Sequence, residues 1–181
     1  HFIAEFTGTN TDGEAALDPL RQHLIQDKNL TIGLLGFGGA GKAILAYLLK
    51  DFKKKHKICM FNRTPLNIKG VKKDELHSYS LNDLEKHLPH FDLLINATSV
   101  GHKENPYDSP VSRNILTRAK QTLLVYDIIY DPLKTKLLKI SEEIGLRTIN
   151  GLRMNLIQAV LAYSYTNPTS LSNAEIFGIM N

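Results

Sequence analysis

Residues 31–41 read TIGLLGFGGAG, an apolar run that leads directly into a glycine-rich turn. The turn has the spacing G-x-G-x-x-G, and residues 39–52 after it carry apolar side chains at helical spacing. In such a strand–turn–helix unit, Gly36 permits the tight turn, Gly38 lets the backbone approach a phosphate group, and Gly41 lets the helix pack closely on the strand. Free N–H groups at the helix start then face the anion. The stretch therefore predicts an α/β fold that binds a phosphate-bearing ligand.

Short β-rich runs and longer helical stretches alternate along the rest of the chain. The predicted strands are 31–35, 57–61, a short one near 78–79, 93–96, 122–127 and 147–149. The predicted helices are 13–26, opened by a capping box of Thr11 and Glu14, then 39–52, 81–88, 112–119, 133–145, 151–165 and 173–180. This alternation predicts a Rossmann-like, doubly wound, mostly parallel sheet with helices on both faces, in a single domain spanning residues 1–181.

Composition narrows the class of protein. The chain has 181 residues, of which 43% are hydrophobic and 22% are charged, as in soluble globular proteins. It has no apolar run long enough for a membrane helix and no recognisable signal peptide. One cysteine, Cys59, excludes an internal disulfide framework and favours a cytoplasmic location.

The net charge of +4 suits an anionic ligand, and Lys53–Lys55 is expected to be a solvated helix end rather than part of a nucleic-acid surface. The seven histidines lack metal-ligand spacing, so no metal is expected.

The end of the second strand predicts the kind of dinucleotide. A site for NAD usually carries an acidic residue about 20 residues beyond the glycines, where it binds the ribose 2′-hydroxyl. Here Asn62-Arg63-Thr64 stands in that place. The Arg63 guanidinium can form charge-assisted hydrogen bonds with a 2′-phosphate and cover the adenine, and Thr64 can donate its hydroxyl. The segment therefore favours NADP over NAD.

Five segments, in order along nearly the whole chain, resemble those of the shikimate dehydrogenase family. They are NTDG at 10–13, NRT at 62–64, NATSVG at 96–101, DIIYDP at 127–132 followed by Thr135, and GLRM at 151–154 followed by Gln158. The resemblance implies NADPH-dependent reduction of 3-dehydroshikimate to shikimate, a step of aromatic amino-acid and chorismate biosynthesis. It also implies a monomer or homodimer that acts on a small molecule, without nucleic acid or membrane partners.

The same resemblance assigns a role to individual residues. Asp12 would be the acidic member of a catalytic lysine–aspartate pair and would bind a substrate hydroxyl, a task that suits a hydrogen-bond-accepting carboxylate. Tyr130 and Gln158 would bind the substrate from the cofactor side. The expected cofactor contacts are Gly36, Gly38, Gly39, Ala40, Gly41, Asn62, Arg63, Thr64, Thr98, Ser99, Val100, Gly151 and Met154.

The sequence departs from the family pattern at its start. In the family, the catalytic lysine follows a V-T-x-P-x-K segment upstream of N-T-D-G, but only eleven residues precede Asp12 here and none is lysine. The chain begins with His1, so we expect that it was cut from something longer or that His1 is a tag remnant. We therefore predict a cofactor-binding half that binds NADP but lacks measurable turnover, with helices 13–27 and 151–181 abutting an absent substrate domain. Asn67 replaces a basic residue that often strengthens the 2′-phosphate site, and Lys69 is a candidate to compensate.

Three alternatives remain open from the sequence. One is a quinate/shikimate dehydrogenase that uses NAD. Another is a non-catalytic module of the same family that senses a ligand. The third is the dinucleotide-binding domain of another dehydrogenase, such as a methylene-tetrahydrofolate enzyme, against which the segments at 10–13 and 127–135 argue.

Overall fold

The computed structural model describes residues 10–26, 29–52, 56–65, 76–167 and 169–181. Its centre is a six-stranded sheet in the order β3-β2-β1-β4-β5-β6, with every neighbouring pair parallel. The strands are β1 (Thr31–Leu35), β2 (Lys57–Asn62), β3 (Leu76–Ser80), β4 (Leu93–Asn96), β5 (Leu124–Asp127) and β6 (Arg147–Ile149). The predicted Rossmann-like fold class is confirmed, with a sheet that is wholly parallel among the described residues.

Eight α-helices accompany the sheet within the described ranges. They are α1 (Thr11–Leu17), α2 (Arg21–Gln26), α3 (Gly39–Phe52), α4 (Leu84–His87), α5 (Arg113–Leu116), α6 (Lys136–Glu143), α7 (Leu152–Thr166) and α8 (Asn173–Met180). Short 3₁₀ turns occupy 18–20, 81–83 and 88–90. None of the helices in these ranges has the length and apolar character needed to cross a bilayer.

Alternate strand residues supply two separate cores, one on each face of the sheet. On one face, Ile32 and Leu34 of β1 join a buried cluster that includes Ala15 of α1, Ile44 of α3 and Met154 of α7. On the other face, a second buried cluster includes Leu35, Phe61, Phe91, Leu116 and Leu137. Because both faces are covered, the strands are nearly continuous apolar runs, as expected of a parallel sheet.

The order of the strands fixes where a ligand can bind. β1 lies between β2 and β4, so the chain winds outward from β1 in both directions. In register, Leu35 pairs with Phe61 on one side and with Asn96 on the other. The segments that follow these strands therefore leave the sheet at one edge, beside the point where the winding reverses, which is where open α/β sheets bind ligands.

The start of the first helix differs from the prediction. The cap is Asn10, whose side-chain oxygen accepts a hydrogen bond from the Asp12 N–H at 2.9 Å, so the predicted capping box of Thr11 and Glu14 is wrong. Asn10 has the extended backbone of a cap residue, and Thr11 is already helical. The predicted single helix 13–26 is also divided, because Pro19 lies in the 3₁₀ turn between α1 and α2. A capping box does occur at α8, between Ser172 and Glu175.

Other boundaries differ for local reasons. The helix predicted at 133–145 begins only at Lys136, because Thr135 is its cap with an extended backbone, and it ends before Gly145 at φ +84°. The helix predicted at 81–88 is reduced to α4 between 3₁₀ turns, and the one predicted at 112–119 is reduced to α5. The strand predicted near 78–79 is longer, and the one predicted at 122–127 is shorter. Asp27, Lys28 and Lys53–Lys55 lie outside the described residues.

Two helical glycines allow a matched test of this packing. A Cβ atom on Gly13 would lie 2.4 Å from Tyr47 Cδ2 and 2.6 Å from the Ala43 oxygen, because α1 crosses α3 there, whereas one on Gly178 would meet nothing within 4 Å. We expect Gly13→Ala to lower the free energy of unfolding by about 1–3 kcal/mol through overpacking. Gly178→Ala should raise it by up to about 1 kcal/mol, since alanine favours a helix over glycine. Urea titration of both variants measures this, and equal effects would contradict the close crossing.

Candidate functional site

Two glycines of the turn after β1 are required by the protein's own packing. Gly36 has φ +90° and donates its N–H to the Phe61 oxygen at 2.9 Å. A Cβ atom added at Gly36 would lie only 2.9 Å from Thr98 Cγ2. A Cβ on Gly41 would lie 2.3 Å from the Gly36 carbonyl oxygen. The first glycine thus makes the turn, and the last lets α3 pack against it, in agreement with the roles that the spacing predicts.

The middle of the turn is open. A Cβ on Gly38 or Gly39 would meet no atom within 4 Å. The Lys42 N–H donates to the Gly38 oxygen at 3.0 Å, which starts the hydrogen bonding of α3. The N–H groups before it belong to the first turn of a helix, which has no intrahelical acceptor for them, and Gly38 has no side chain that could cap them. The open space therefore adjoins a helix N-terminus whose partial positive charge suits an anion.

Residues after β2 reach the same edge of the sheet. Asn62 is half-buried and donates its side-chain amide to the Thr64 oxygen at 3.2 Å, which holds the segment in a turn. Arg63 and Thr64 are exposed, and Arg63 forms no ion pair with another described residue. The guanidinium is therefore available to an external anion. Asn67 and Lys69 lie outside the described residues.

The loop after β4 packs against the glycine turn. The Ala97 N–H donates to the Leu35 oxygen at 2.8 Å, and Thr98 lies against Gly36. Thr98 donates its hydroxyl to the Asn96 side-chain oxygen at 2.7 Å and accepts the Val100 N–H at 3.2 Å. The loop 97–100 is thus tied to β4 by its own side chains, with Ser99 exposed at its tip.

A buried carboxylate joins this loop to the next strand. Asp127, at the end of β5, is fully buried and accepts hydrogen bonds from Asn96 Nδ2 at 3.0 Å, Ile129 N–H at 3.2 Å and Thr135 Oγ1 at 2.7 Å. Burial raises the pKa of Asp127 to about 6, although these three hydrogen bonds act to lower it. The ends of β4 and β5 and the start of α6 therefore meet at one carboxyl group.

A pocket of about 220 Å³ brings together residues from four parts of the chain. It is lined by Asp12, Ala40, Ile128, Tyr130, Met154, Asn155 and Gln158. The three predicted substrate-binding residues therefore share one cavity, and Ala40 connects that cavity to the N-terminus of α3. Tyr130 is 47% exposed, so its hydroxyl is available to a ligand. No cluster of metal-binding side chains occurs within the described ranges.

Gly151 has a role in packing that the sequence did not reveal. As one of the cofactor contacts that the family resemblance implies, it would approach the nicotinamide through its backbone. A Cβ there would lie 1.9 Å from the Ile128 oxygen, and its N–H donates to the Ile129 oxygen at 3.1 Å. The glycine thus lets the start of α7 approach the end of β5. The approach to nicotinamide stays a prediction.

Comparison with known proteins decides the family. The model of the Shikimate / quinate 5-dehydrogenase family matches residues 20–132. The chain belongs to this family. Shikimate dehydrogenase (NADP(+)) of Pyrococcus abyssi is 41% identical over 157 residues, which cover 86% of this chain and 55% of that protein. The chain therefore spans about half the length of the curated relatives that it matches.

Solved structures of family members share the fold. Shikimate 5-dehydrogenase from Thermus thermophilus, in complex with NADP(H) and shikimate, has a TM-score of 0.72 and 26% identity, with 94% of this chain and 61% of that one covered. Shikimate 5-dehydrogenase from Listeria monocytogenes, in complex with shikimate and NAD, has a TM-score of 0.71 and 26% identity, with coverage of 94% and 62%. The resemblance first seen in five short segments is thus confirmed at the level of the family.

Two features within the family motifs were not predicted as parts of the site. Asn155 lines the pocket one residue after Met154, and helical spacing from Gln158 could have indicated that it shares a face with that residue. The buried hydrogen bond between Asn96 and Asp127 spans 31 positions of sequence, so neither motif taken alone pointed to it.

Protonation of Asp127 makes a pH-dependent contribution to stability. The pKa of Asp127 is raised above that of an exposed aspartate, so its contribution is most favourable at low pH and is lost as pH rises through about 6. We expect the free energy of unfolding of the wild-type chain, relative to Asp127→Asn, to fall by up to about 3 kcal/mol between pH 4 and pH 7. Urea unfolding of both proteins across this range tests it. A difference that rises with pH would contradict the burial effect.

Proposed function

We propose that this chain is the NADP-binding part of a shikimate dehydrogenase. The whole enzyme would reduce 3-dehydroshikimate with NADPH to give shikimate and NADP, and would catalyse the reverse reaction. The observation that carries the proposal is the place of Ala40. This residue belongs to the glycine-rich turn at the N-terminus of α3 and also lines the pocket that holds Asp12, Tyr130 and Gln158. A dinucleotide seated on the turn would therefore extend toward the residues proposed to bind substrate.

The residues at this edge of the sheet fit the cofactor. The open space beside Gly38 and Gly39 suits a pyrophosphate, which would accept N–H groups from the first turn of α3. Exposed Arg63 and Thr64 would bind the 2′-phosphate, and Asn62 would hold their turn. Thr98, Ser99 and Val100 would lie toward the nicotinamide end. The names of the relatives, which specify NADP(+), support this choice of cofactor.

The pocket would serve the substrate. Asp12 would accept a hydrogen bond from a substrate hydroxyl, while the Tyr130 hydroxyl and the Gln158 amide would orient the ring from the cofactor side. When bound, NADPH supplies the hydride that the reaction needs. Together these side chains would hold the carbonyl carbon within reach of the cofactor, and Met154, which would contact the cofactor, lines the same pocket.

The remaining groups of the site would come from a second domain. The chain spans about half the length of the relatives that it matches, and the V-T-x-P-x-K segment that the family resemblance implies is not among its 181 residues. We therefore infer that residues 1–181 form one NADP-binding domain, that α1, α2, α7 and α8 face the substrate domain, and that this chain binds NADP without measurable turnover. Robust NADP-dependent oxidation of shikimate by the 181-residue chain would contradict that inference.

Cofactor preference can be tested at Arg63. We expect Arg63→Ala to weaken NADP binding by about 10–100-fold, because charge-assisted hydrogen bonds to the 2′-phosphate are lost. NAD binding should weaken much less, because only the contact of the guanidinium with the adenine is lost there. Arg147→Ala, at another exposed arginine, is the matched control and should change neither. Isothermal titration calorimetry measures the affinities of the wild-type chain and of both variants for NADP and for NAD. Equal losses for both nucleotides would reject recognition of the 2′-phosphate, and tighter NAD than NADP binding by the wild-type chain would favour the NAD-dependent alternative.

The pyrophosphate site can be tested at Gly38. Because a Cβ there meets no protein atom within 4 Å, Gly38→Ala should leave the thermal midpoint within a few degrees of the wild-type value. The added methyl group would occupy the space assigned to the phosphates, so we expect NADP and NAD to bind at least about tenfold more weakly. Gly178→Ala controls for the change from glycine to alanine. Unchanged affinity for both nucleotides would exclude the turn as the phosphate site.

A further inference from the structure

We propose that Asp127 is a positioning residue, whose buried carboxylate sets the relative placement of the loop 97–100 and the segment 128–130. This inference rests on the proposed function, which assigns the first segment to the nicotinamide end of the cofactor and the second to the substrate. Asp127 touches neither ligand in this arrangement, because it is fully buried beneath both segments.

A chain of hydrogen bonds runs from Asp127 through Asn96 and Thr98 to Val100. Asp127 Oδ1 accepts from Asn96 Nδ2 at 3.0 Å, which turns the Asn96 oxygen toward the loop. That oxygen accepts from the Thr98 N–H at 3.0 Å and from its hydroxyl at 2.7 Å. The Thr98 hydroxyl oxygen in turn accepts the Val100 N–H at 3.2 Å. The carboxylate thus determines which way the Asn96 amide and the Thr98 hydroxyl point.

The same carboxylate holds the substrate-side segment. Asp127 Oδ1 also accepts the Ile129 N–H at 3.2 Å, so one oxygen atom binds both the branch to Asn96 and the backbone next to Tyr130. The Ile128 N–H donates to the Asn96 oxygen of the main chain at 3.2 Å, which adds a second link between the two strand ends. Both segments therefore share one anchor at the sheet edge.

The third hydrogen bond serves the fold and supplies a control. Thr135 donates its hydroxyl to Asp127 Oδ2 at 2.7 Å and caps α6 by accepting the Leu138 N–H at 3.4 Å. Thr135→Val would remove this bond and weaken the helix cap, but would leave the two acceptor contacts of Oδ1 in place. Thr135→Val therefore shows the effect of lost stability alone, while the Oδ1 hydrogen bonds to Asn96 and Ile129 are kept.

The need for a carboxylate follows from its hydrogen-bonding capacity. An ionised carboxylate only accepts, and here its two oxygens receive three donors. An asparagine at this position has one acceptor oxygen. If its amide N–H faced Asn96 and Ile129, it would meet two groups that only donate; if it faced Thr135, the Thr135 hydroxyl would have to turn from donor to acceptor. Asp127→Asn should consequently disturb the anchor in part, whereas Asp127→Ala removes every acceptor.

Two nucleotide probes and one backbone amide test the proposal on the 181-residue chain. NADP⁺ reaches both ends of the proposed site, but adenosine 2′,5′-bisphosphate lacks the nicotinamide half. We expect Asp127→Ala to weaken NADP⁺ at least fivefold and the bisphosphate less than twofold, and Thr135→Val to change neither affinity by more than twofold. Samples labelled with ¹⁵N-valine report on the loop directly. The Val100 amide resonance should shift in Asp127→Ala, shift less in Asp127→Asn and stay unchanged in Thr135→Val. The Val160 amide resonance, in α7, should stay unchanged in all three variants.

The outcomes separate the two proposals. Equal weakening of both probes by Asp127→Ala, or a Val100 resonance that does not move, would overturn the positioning role. If the wild-type chain bound neither probe, the proposed function would fail, and the Val100 resonance would still decide whether Asp127 holds the loop. If Asp127→Ala did not fold, the Val100 resonance would be compared between Asp127→Asn and Thr135→Val. A shift in the first and none in the second would support the positioning role, and no shift in either would overturn it.

Discussion

α3 packs unusually close to the turn that precedes it, and this contact positions the N-terminus of the helix at the ligand-binding edge of the sheet. With no side chain at Gly41, the helix lies against the Gly36 carbonyl, where even a methyl carbon would be only 2.3 Å away. A Cβ at Gly41 would also lie 3.6 Å from the Ala97 Cβ, just after β4, so the start of the helix lies at the sheet edge between β1 and β4. Because all six strands run parallel, their carboxyl ends bring the segments after β2, β4 and β5 to the same edge. A contact between two glycines thus places the helix N-terminus among loops that are distant in sequence.

The electrostatics at this edge follow from the same geometry. The N-terminus of α3 and the side chain of Arg63 favour a negatively charged ligand, and in the part of the chain that the structure describes Arg63 has no acidic partner. The buried Asp127 lies behind the loop 97–100, where its hydrogen bonds are satisfied by protein groups. Favourable charge is therefore exposed toward solvent, while the carboxylate is kept within the interior.

The parts of the fold with local causes could be predicted from the sequence. The turn at 36–41 needs only its glycine spacing, a preceding apolar run and a following helical pattern, all within 22 residues from Thr31 to Phe52. Boundaries were harder to predict where two neighbouring residues could both cap a helix, as with Asn10 and Thr11. The start of α6 depends on Thr135, whose hydroxyl bonds to Asp127 across eight positions. The link between Asn96 and Asp127 exists only after β4 and β5 have paired, so no local pattern contains it.

The backbone contact at Gly151 has a consequence for how the pocket can change. The residue lies outside the pocket, yet its absent side chain lets the first turn of α7 rest on the carbonyl of Ile128, which lines the cavity. A larger residue there would act as a wedge and shift Met154, Asn155 and Gln158 together, since they belong to one rigid helix. One dimension of the cavity, the separation of α7 from the segment after β5, is thus set by the missing side chain of a residue that does not line it.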